Sequence, residues 1–210
     1  VYGPVTFEED TLDKILFGML TYRYWPVRLE ELASKIRYVN LKEGSKDLGD
    51  GLWVTTKYLN HPINVLGYRF EYRGKVLCTA YDTEPFRNVF DVPADSPSYD
   101  AEAVKEGELA AREENEKVSQ FFQGADILIH DTQYTHKEYQ AGKIGWGHTT
   151  FEYAVSAADR AGVKKLLLFH HDPDRSDAQL DHIEAQIRRR IAGKSKMQVS
   201  VAREGMVVEA

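Results

Sequence analysis

The sequence predicts one domain of the mixed α/β class. Its first half carries mostly strand patterns, whereas its second half alternates strands with helices, which is typical of helices packed on the faces of a sheet. Three strands are apolar along their length and are followed at once by acidic residues or histidines: 75–81, 126–129 and 164–169. Strands buried on both faces hold functional side chains rigidly at their carboxyl ends, so these ends predict a functional site.

Composition limits the classes of function. The 210 residues suffice for one domain with a sizeable core, spanning residues 1–210, and 42% hydrophobic with 29% charged residues is ordinary for a globular protein. A net charge of −6 offers no basic surface for a phosphate backbone, which argues against nucleic acid as a partner and for a small substrate. The one cysteine, Cys78, lies in an apolar strand, excludes an internal disulfide and fits a reducing cytoplasm. No apolar run approaches the roughly 18 residues of a membrane span.

The first half is assigned from periodicity and turn residues. Strands are predicted at 1–4, 36–41, 52–59, 65–72 and 75–81, and helices at 8–22 and 28–34. Residues 43–51 are rich in glycine and polar residues and predict a turn, and Arg73-Gly74 predicts a two-residue hairpin connection. The segment 85–99 predicts a loop over the strand ends.

The second half follows an alternating order. Helices are predicted at 101–122, 149–161 and 177–191, and strands at 126–129, 164–169, 198–201 and 206–208. Thr149-Thr150 can cap the second of these helices and Gly162 can end it, while Asp177 can cap the third.

Histidines at strand ends carry the chemistry. His61 follows a strand directly before Pro62, although a structural loop histidine is the alternative. In His170-His171 either neighbour could be a ligand, but only one should face the site because side chains alternate along a strand. His148 precedes a helix, where an anion can bind, although simple helix capping would also explain it.

Histidine together with a shared carboxylate is the ligand chemistry of zinc, iron or manganese sites. A bridging aspartate can hold two ions roughly 3.5–4 Å apart for the hydrolysis of esters and phosphodiesters. Asp82, His61 and His171 are the predicted metal-binding set. His136 and His182 lie in polar segments and are expected to be exposed.

Five segments in order resemble the later motifs of the metallo-β-lactamase superfamily. They are Asn60-His61-Pro62, Tyr81-Asp82-Thr83-Glu84, 130–134 (HDTQY), 147–150 (GHTT) and 169–173 (FHHDP). The similarity covers about residues 52–190, and it is greatest to the ribonuclease Z and phosphodiesterase-like branch. It implies an αββα sandwich in which His61 binds the first metal ion, Asp82 bridges both ions and His171 binds the second. His148 would contact the scissile phosphate and be oriented by Asp131.

The activity implied by the resemblance is hydrolysis of a phosphodiester, such as a cyclic nucleotide, by a hydroxide that bridges two divalent ions. Zinc is the first choice of metal, with manganese or iron as alternatives. A lactone or thioester hydrolase of the same superfamily is the second interpretation. A catalytically inactive interaction domain is the third.

The sequence departs from the superfamily at its first motif, His-x-His-x-Asp-His, because no His-x-His occurs in it. We therefore expect the chain to be the C-terminal portion of a longer enzyme that lacks the first strands and several ligands. Such a portion should bind metal poorly and leave apolar sheet surface uncovered, so a homo-oligomer is expected.

Overall fold

The computed structural model describes residues 1–4 and 11–210, except the side chain of Leu29. Its strands are β1 (Tyr2–Pro4), β2 (Val39–Leu41), β3 (Gly44–Asp47), β4 (Trp53–Leu59), β5 (Val65–Tyr72), β6 (Lys75–Ala80), β7 (Ile127–Asp131), β8 (Lys165–Phe169) and β9 (Gln198–Val201). Its α-helices are α1 (Leu12–Met19), α2 (Ala101–Phe121), α3 (His136–Gln140), α4 (Phe151–Arg160) and α5 (Asp177–Ile191), and a 3-10 turn covers Leu29–Glu31. The mixed α/β class is confirmed.

Seven strands form one sheet in the order β3-β4-β5-β6-β7-β8-β9. The strands from β3 to β6 pair antiparallel, and the strands from β6 to β9 pair parallel. The strands β1 and β2 form a separate parallel pair. The carboxyl ends of β6, β7 and β8 therefore lie side by side at one edge of the sheet, which is the edge that the sequence predicts for the site.

The main core joins the sheet to its helices. Leu128, Leu166 and Leu168, from two central strands, are fully buried, and they share a cluster with Phe122 and Phe151 from the helical side. Leucine-rich central strands have no alternating polar face because they are parallel strands covered by helices. Within the described residues, no helix is both long and apolar enough to cross a membrane.

Several boundaries differ from the sequence prediction. The predicted turn at 43–51 contains β3, because Gly44–Asp47 pair antiparallel with β4 despite their polar composition. Residues 206–208 form no strand: Met206 N–H donates to the Arg203 carbonyl in a turn, and Val207 is exposed. The predicted helix 8–22 is observed as Leu12–Met19, and residues 8–10 lie outside the described part.

The helix caps also differ in part. Ser176, not Asp177, caps α5, where its hydroxyl and Gln179 form a reciprocal capping box. Thr150 caps α4 as predicted. The helix α3 was not predicted, although Thr135 and Glu138 form a second capping box and supply the signal for it.

Candidate active site

The site lies at the shared carboxyl edge of the parallel strands. Asp82 follows β6, Asp131 ends β7 and His170 follows β8. Two loops bring further imidazoles to the same place: His61 follows β4, and His148 precedes α4. Parallel pairing fixes the first three positions, since the three strands end in register.

Four side chains form a compact group that could hold a cation. Asp82, Asp131, His148 and His170 each offer one ligand atom, and all of these atoms lie within 4.8 Å of one another. His170 Nδ1 is 3.5 Å from Asp82 Oδ1 and 3.6 Å from Asp131 Oδ2. This nitrogen is buried and has no hydrogen-bond partner. A buried imidazole nitrogen without a partner between two carboxylates fits a divalent cation, and the donor set suits zinc, manganese or iron.

Asp131 and His148 form a close pair. His148 Nδ1 lies 2.7 Å from Asp131 Oδ2, and the Asp131 carboxylate also accepts the backbone N–H groups of Thr83 and Gln133, each at 3.1 Å. Burial at 0% exposure raises the pKa of Asp131, but the His148 hydrogen bond and the nearby His170 outweigh it, so its pKa lies below the ordinary value. An ionised carboxylate can only accept, so His148 carries its proton on Nδ1 and Nε2 can act on a substrate.

His170 has a backbone conformation that is rare for its residue type. Its φ is 58°, in the left-handed region, which it shares with Asp50 and Arg73 among the non-glycine residues described. Strain of this kind is found at functional sites, where the surrounding structure enforces it. The Asp131 carboxylate beside it raises the pKa of His170 against the opposing effect of burial. The imidazole Nδ1 lies near both carboxylates, so of the two neighbouring histidines His170 is the one that joins the four-residue group.

His61 and His171 are placed differently. His61 Nε2 lies 3.9 Å from Asp82 Oδ2, and its ring is 5.5 Å from that of His148, so it borders the four-residue group. The His171 ring lies nearly parallel to that of Phe151, at 6.3 Å between centroids. Both ring nitrogens of His171 are buried and lack hydrogen-bond partners, and burial lowers its pKa. Metal binding by His61 and His171 stays a prediction.

The remaining histidines lie outside the group. His130 is fully buried, its Nδ1 is 2.8 Å from the Asp131 carbonyl oxygen, and burial lowers its pKa. His136 and His182 are exposed. These three are structural or surface residues in the described part of the chain.

Glu84 belongs to the site region, although sequence reasoning assigns it no role. It lies two residues beyond Asp82, is only 5% exposed, and accepts two hydrogen bonds from the loop before His148. The signal for it was an acidic residue inside the segment Tyr81-Asp82-Thr83-Glu84, but nothing in the sequence shows that its side chain turns inwards.

Two proteins with similar sequences are both named ribonuclease Z. No family model matches the sequence. A ribonuclease Z from Thermoplasma volcanium is 31% identical over 88 residues, which are 41% of this chain and 29% of that protein. A ribonuclease Z from Synechococcus sp. is 26% identical over 200 residues, covering 82% of this chain and 60% of that protein. The chain thus spans about 60% of the second relative's length, and less of the first.

Solved structures with the same fold cover nearly the whole chain. The metallo-β-lactamase fold protein YhfI from Bacillus subtilis superimposes with a TM-score of 0.57 at 15% identity, over 98% of this chain and 62% of its own. The short form of human tRNase Z gives a TM-score of 0.52 at 18% identity, over 99% of this chain and 65% of its own. A diphosphatase from the PhnP family gives 0.52 at 15% identity, over 98% of this chain and 55% of its own. This chain has the metallo-β-lactamase fold, and in sequence it is similar to ribonuclease Z.

Proposed function

We propose that the chain carries part of the active site of a metal-dependent hydrolase that cleaves a phosphodiester. The observation that carries this proposal is the Asp131–His148 pair at 2.7 Å, beside a carboxylate and a second imidazole at the ends of parallel strands. An oriented imidazole next to a cation site is what phosphoryl chemistry needs. The sequence similarity to ribonuclease Z supports the same reaction class.

Asp82 and His170 are the proposed metal-binding residues, with His61 beside them and the predicted His171 as the alternative to His170. Asp82 has the most open carboxylate of the group, with its side chain 41% exposed, so ions can reach it from solvent. Divalent ions, zinc first among them, supply positive charge that stabilises a phosphate and lowers the proton affinity of water. Two ions remain the prediction, although Asp82, His170 and the neighbouring His61 together are enough protein ligands for only one.

His148 is the proposed acid and base of the reaction. With Nδ1 held by Asp131, its Nε2 can donate a proton to the leaving oxygen or stabilise charge on the phosphate. Asp131 accepts the hydrogen bond from Nδ1–H and so holds the ring in one orientation and tautomer. Both roles need the buried Asp131 carboxylate, whose pKa lies below its ordinary value because of the nearby His148 and His170.

A small phosphodiester, such as a cyclic nucleotide, is the first proposed substrate. The net charge of −6 disfavours a long polyanion in the absence of a basic surface. RNA is the second candidate, because the relatives are ribonucleases by name and so weaken the sequence-based argument against nucleic acid. A lactone or thioester is the alternative substrate, and the resemblance of residues 147–150 (GHTT) to the phosphodiesterase-like branch weighs against it.

The test combines activity with metal content. The chain is incubated with zinc or manganese and assayed on bis(p-nitrophenyl) phosphate, a cyclic nucleotide, a short RNA and a lactone. Because the expected ligand set is incomplete, we expect phosphodiester cleavage to be slow and to need excess metal. On the cyclic nucleotide, kcat should fall by a further factor of about 10²–10⁴ in His148→Ala, with unchanged metal content in that variant.

The matched control is His182→Ala, which removes an exposed histidine on α5 and should change nothing. Metal loss in His148→Ala would make His148 a ligand instead of a catalyst. A metal-loaded chain that cleaves none of the phosphodiesters would refute the proposal for this chain and favour an interaction domain.

A further inference from the structure

Glu84 is a buried carboxylate that the reaction itself does not use. We propose that it is a positioning residue, which holds the loop before His148 so that the imidazole meets Asp131 in the proposed hydrolase. This inference rests on the proposed function for its catalytic meaning. Its structural part, the control of His148 by Glu84, can be measured without any activity.

Glu84 accepts hydrogen bonds from two neighbouring segments, α3 and the loop 145–147. Its Oε1 accepts the Tyr139 hydroxyl in a short hydrogen bond and the Gly145 N–H at 2.8 Å, and its Oε2 accepts the Gly147 N–H at 2.9 Å. Arg87 Nε lies 3.5 Å from Oε1 at the surface side. Burial and the hydrogen bond to Glu84 raise the pKa of Tyr139, so the phenol keeps the proton that it donates.

The two carboxylate oxygens of Glu84 match this arrangement of donors. Three N–H and O–H donors converge on two oxygens, and a carboxylate can accept them all. A glutamine has the same shape but one oxygen, and its NH₂ would face a donor. Leaving a buried backbone N–H without a partner is costly, so the Gly145–Gly147 loop would shift in Glu84→Gln.

The position of the 145–147 loop directly affects the site, because the loop contacts the His61 turn and leads into His148. Gly147 immediately precedes His148 and has φ 84°, and a Cβ at this position would lie 2.5 Å from Pro62 Cδ and still closer to His61. The loop therefore packs against the His61 turn without spare room. Glu84 N–H also donates to the Asn60 carbonyl at 2.8 Å, so one residue ties the His61 turn and the His148 loop to the end of β6.

The alternative explanation is that Glu84 only stabilises the fold, for example by fixing α3 through Tyr139. The two explanations differ in what happens at His148. A merely stabilising residue would change the free energy of unfolding but leave the imidazole signals and the catalytic contribution of His148 unchanged.

The first experiment uses the full chain labelled with [15N]histidine. The Nδ1–H signal of His148 is assigned by its loss in His148→Ala, and its exchange with water is compared in wild type and Glu84→Gln. We expect this signal to shift and its exchange to accelerate about tenfold, since the loop that holds it has lost a hydrogen bond. The His182 signals, on a distant face, should not move. An unchanged His148 signal in folded Glu84→Gln would overturn the proposal.

The matched control is Glu138→Gln. Glu138 is another hydrogen-bonded carboxylate, on α3, and its oxygens accept from Thr135 and Arg175, not from the 145–147 loop. It should lower stability without moving the His148 signal. A His148 shift of equal size in Glu138→Gln would show that any damage to α3 reaches the site, and would also overturn the specific role of Glu84.

The second experiment is a kinetic double-mutant cycle on a cyclic nucleotide, whose alkoxide leaving group needs a proton, with metal present. Glu84→Gln should lower kcat by up to about 10²-fold with little change in KM, because a displaced catalytic group costs about that much. In the His148→Ala background the same substitution should cost almost nothing more. A full additional loss in that background would refute positioning through His148. If the wild type lacks activity, the proposed function fails, and the NMR comparison alone decides the role of Glu84.

Discussion

Two glycines in the same loop allow the tight packing around His148 to be measured. Gly145 and Gly147 have nearly equal left-handed φ angles of 85° and 84°, and both donate their N–H to Glu84. They differ in what surrounds them. A Cβ at Gly145 would find only Arg87 Nη2, at 3.8 Å, whereas a Cβ at Gly147 would lie 2.5 Å from Pro62 Cδ and nearer still to the His61 ring.

The expected magnitudes follow from this difference. Alanine at either position pays about 1–2 kcal/mol for the left-handed backbone conformation. Gly147→Ala must also push apart two rigid rings, and forced overpacking costs about 1–3 kcal/mol more. We therefore expect the free energy of unfolding to fall further in Gly147→Ala than in Gly145→Ala by about 1–3 kcal/mol.

The assay is urea unfolding followed by tryptophan fluorescence, with Gly205→Ala as the control for a left-handed glycine in open space. Gly205→Ala and Gly145→Ala should lower the free energy of unfolding by similar amounts. Because His61 borders the cation group, Gly147→Ala should also weaken metal binding, whereas Gly205→Ala should not. Equal destabilisation by the Gly145 and Gly147 substitutions would show that the loop is not packed against the His61 turn, and would remove the steric part of the argument for positioning.

Two further predictions concern the metal and pH. His170→Ala should reduce zinc uptake measured by elemental analysis, whereas His171→Ala should leave it unchanged because that ring packs against Phe151; the opposite result would restore His171 as the ligand. The hydrogen bond from Lys164, at 2.7 Å, holds the pKa of Asp126 below its ordinary value. The contribution of Asp126 to the free energy of unfolding is therefore fully present above the pKa of the unfolded state, about 3.9, and is lost as pH falls through the pKa of the folded state. Asp126→Asn should therefore flatten the pH dependence of the unfolding free energy below about pH 4, and an unchanged profile would contradict this.

The sheet was predictable because its signals are local. The strand β5 and the helix α5 have the predicted bounds, since alternation and helical spacing are properties of neighbouring residues. The strand β3 was not predictable, because its polar residues are held only by pairing with β4. Intrinsic strand preference is weak, and tertiary pairing overrides it.

The positions of the site residues along the chain were predictable, but their arrangement in space was not. Asp82, Asp131 and His148 were identified from their positions after strands or before a helix, and the structure brings them together. Strand alternation predicts only that one of His170 and His171 faces the site, and His171 was assigned by resemblance; in the structure His170, with φ 58°, belongs to the four-residue group. A left-handed conformation at a histidine depends on its tertiary surroundings, so no sequence pattern could have revealed it.

Two carboxylates beyond the same strand show how neighbouring acids divide their tasks. Asp82 keeps an open side chain facing His61 and His170, so its charge is available to a cation. Glu84 is turned inwards, where backbone N–H groups of the 145–147 loop satisfy its charge. A residue spacing of two places both on one side of an extended chain, so sequence alone assigns them the same environment. Only the hydrogen-bond partners separate the two roles: the acid without fixed donors is suited to a metal, and the acid saturated by donors is suited to hold a loop.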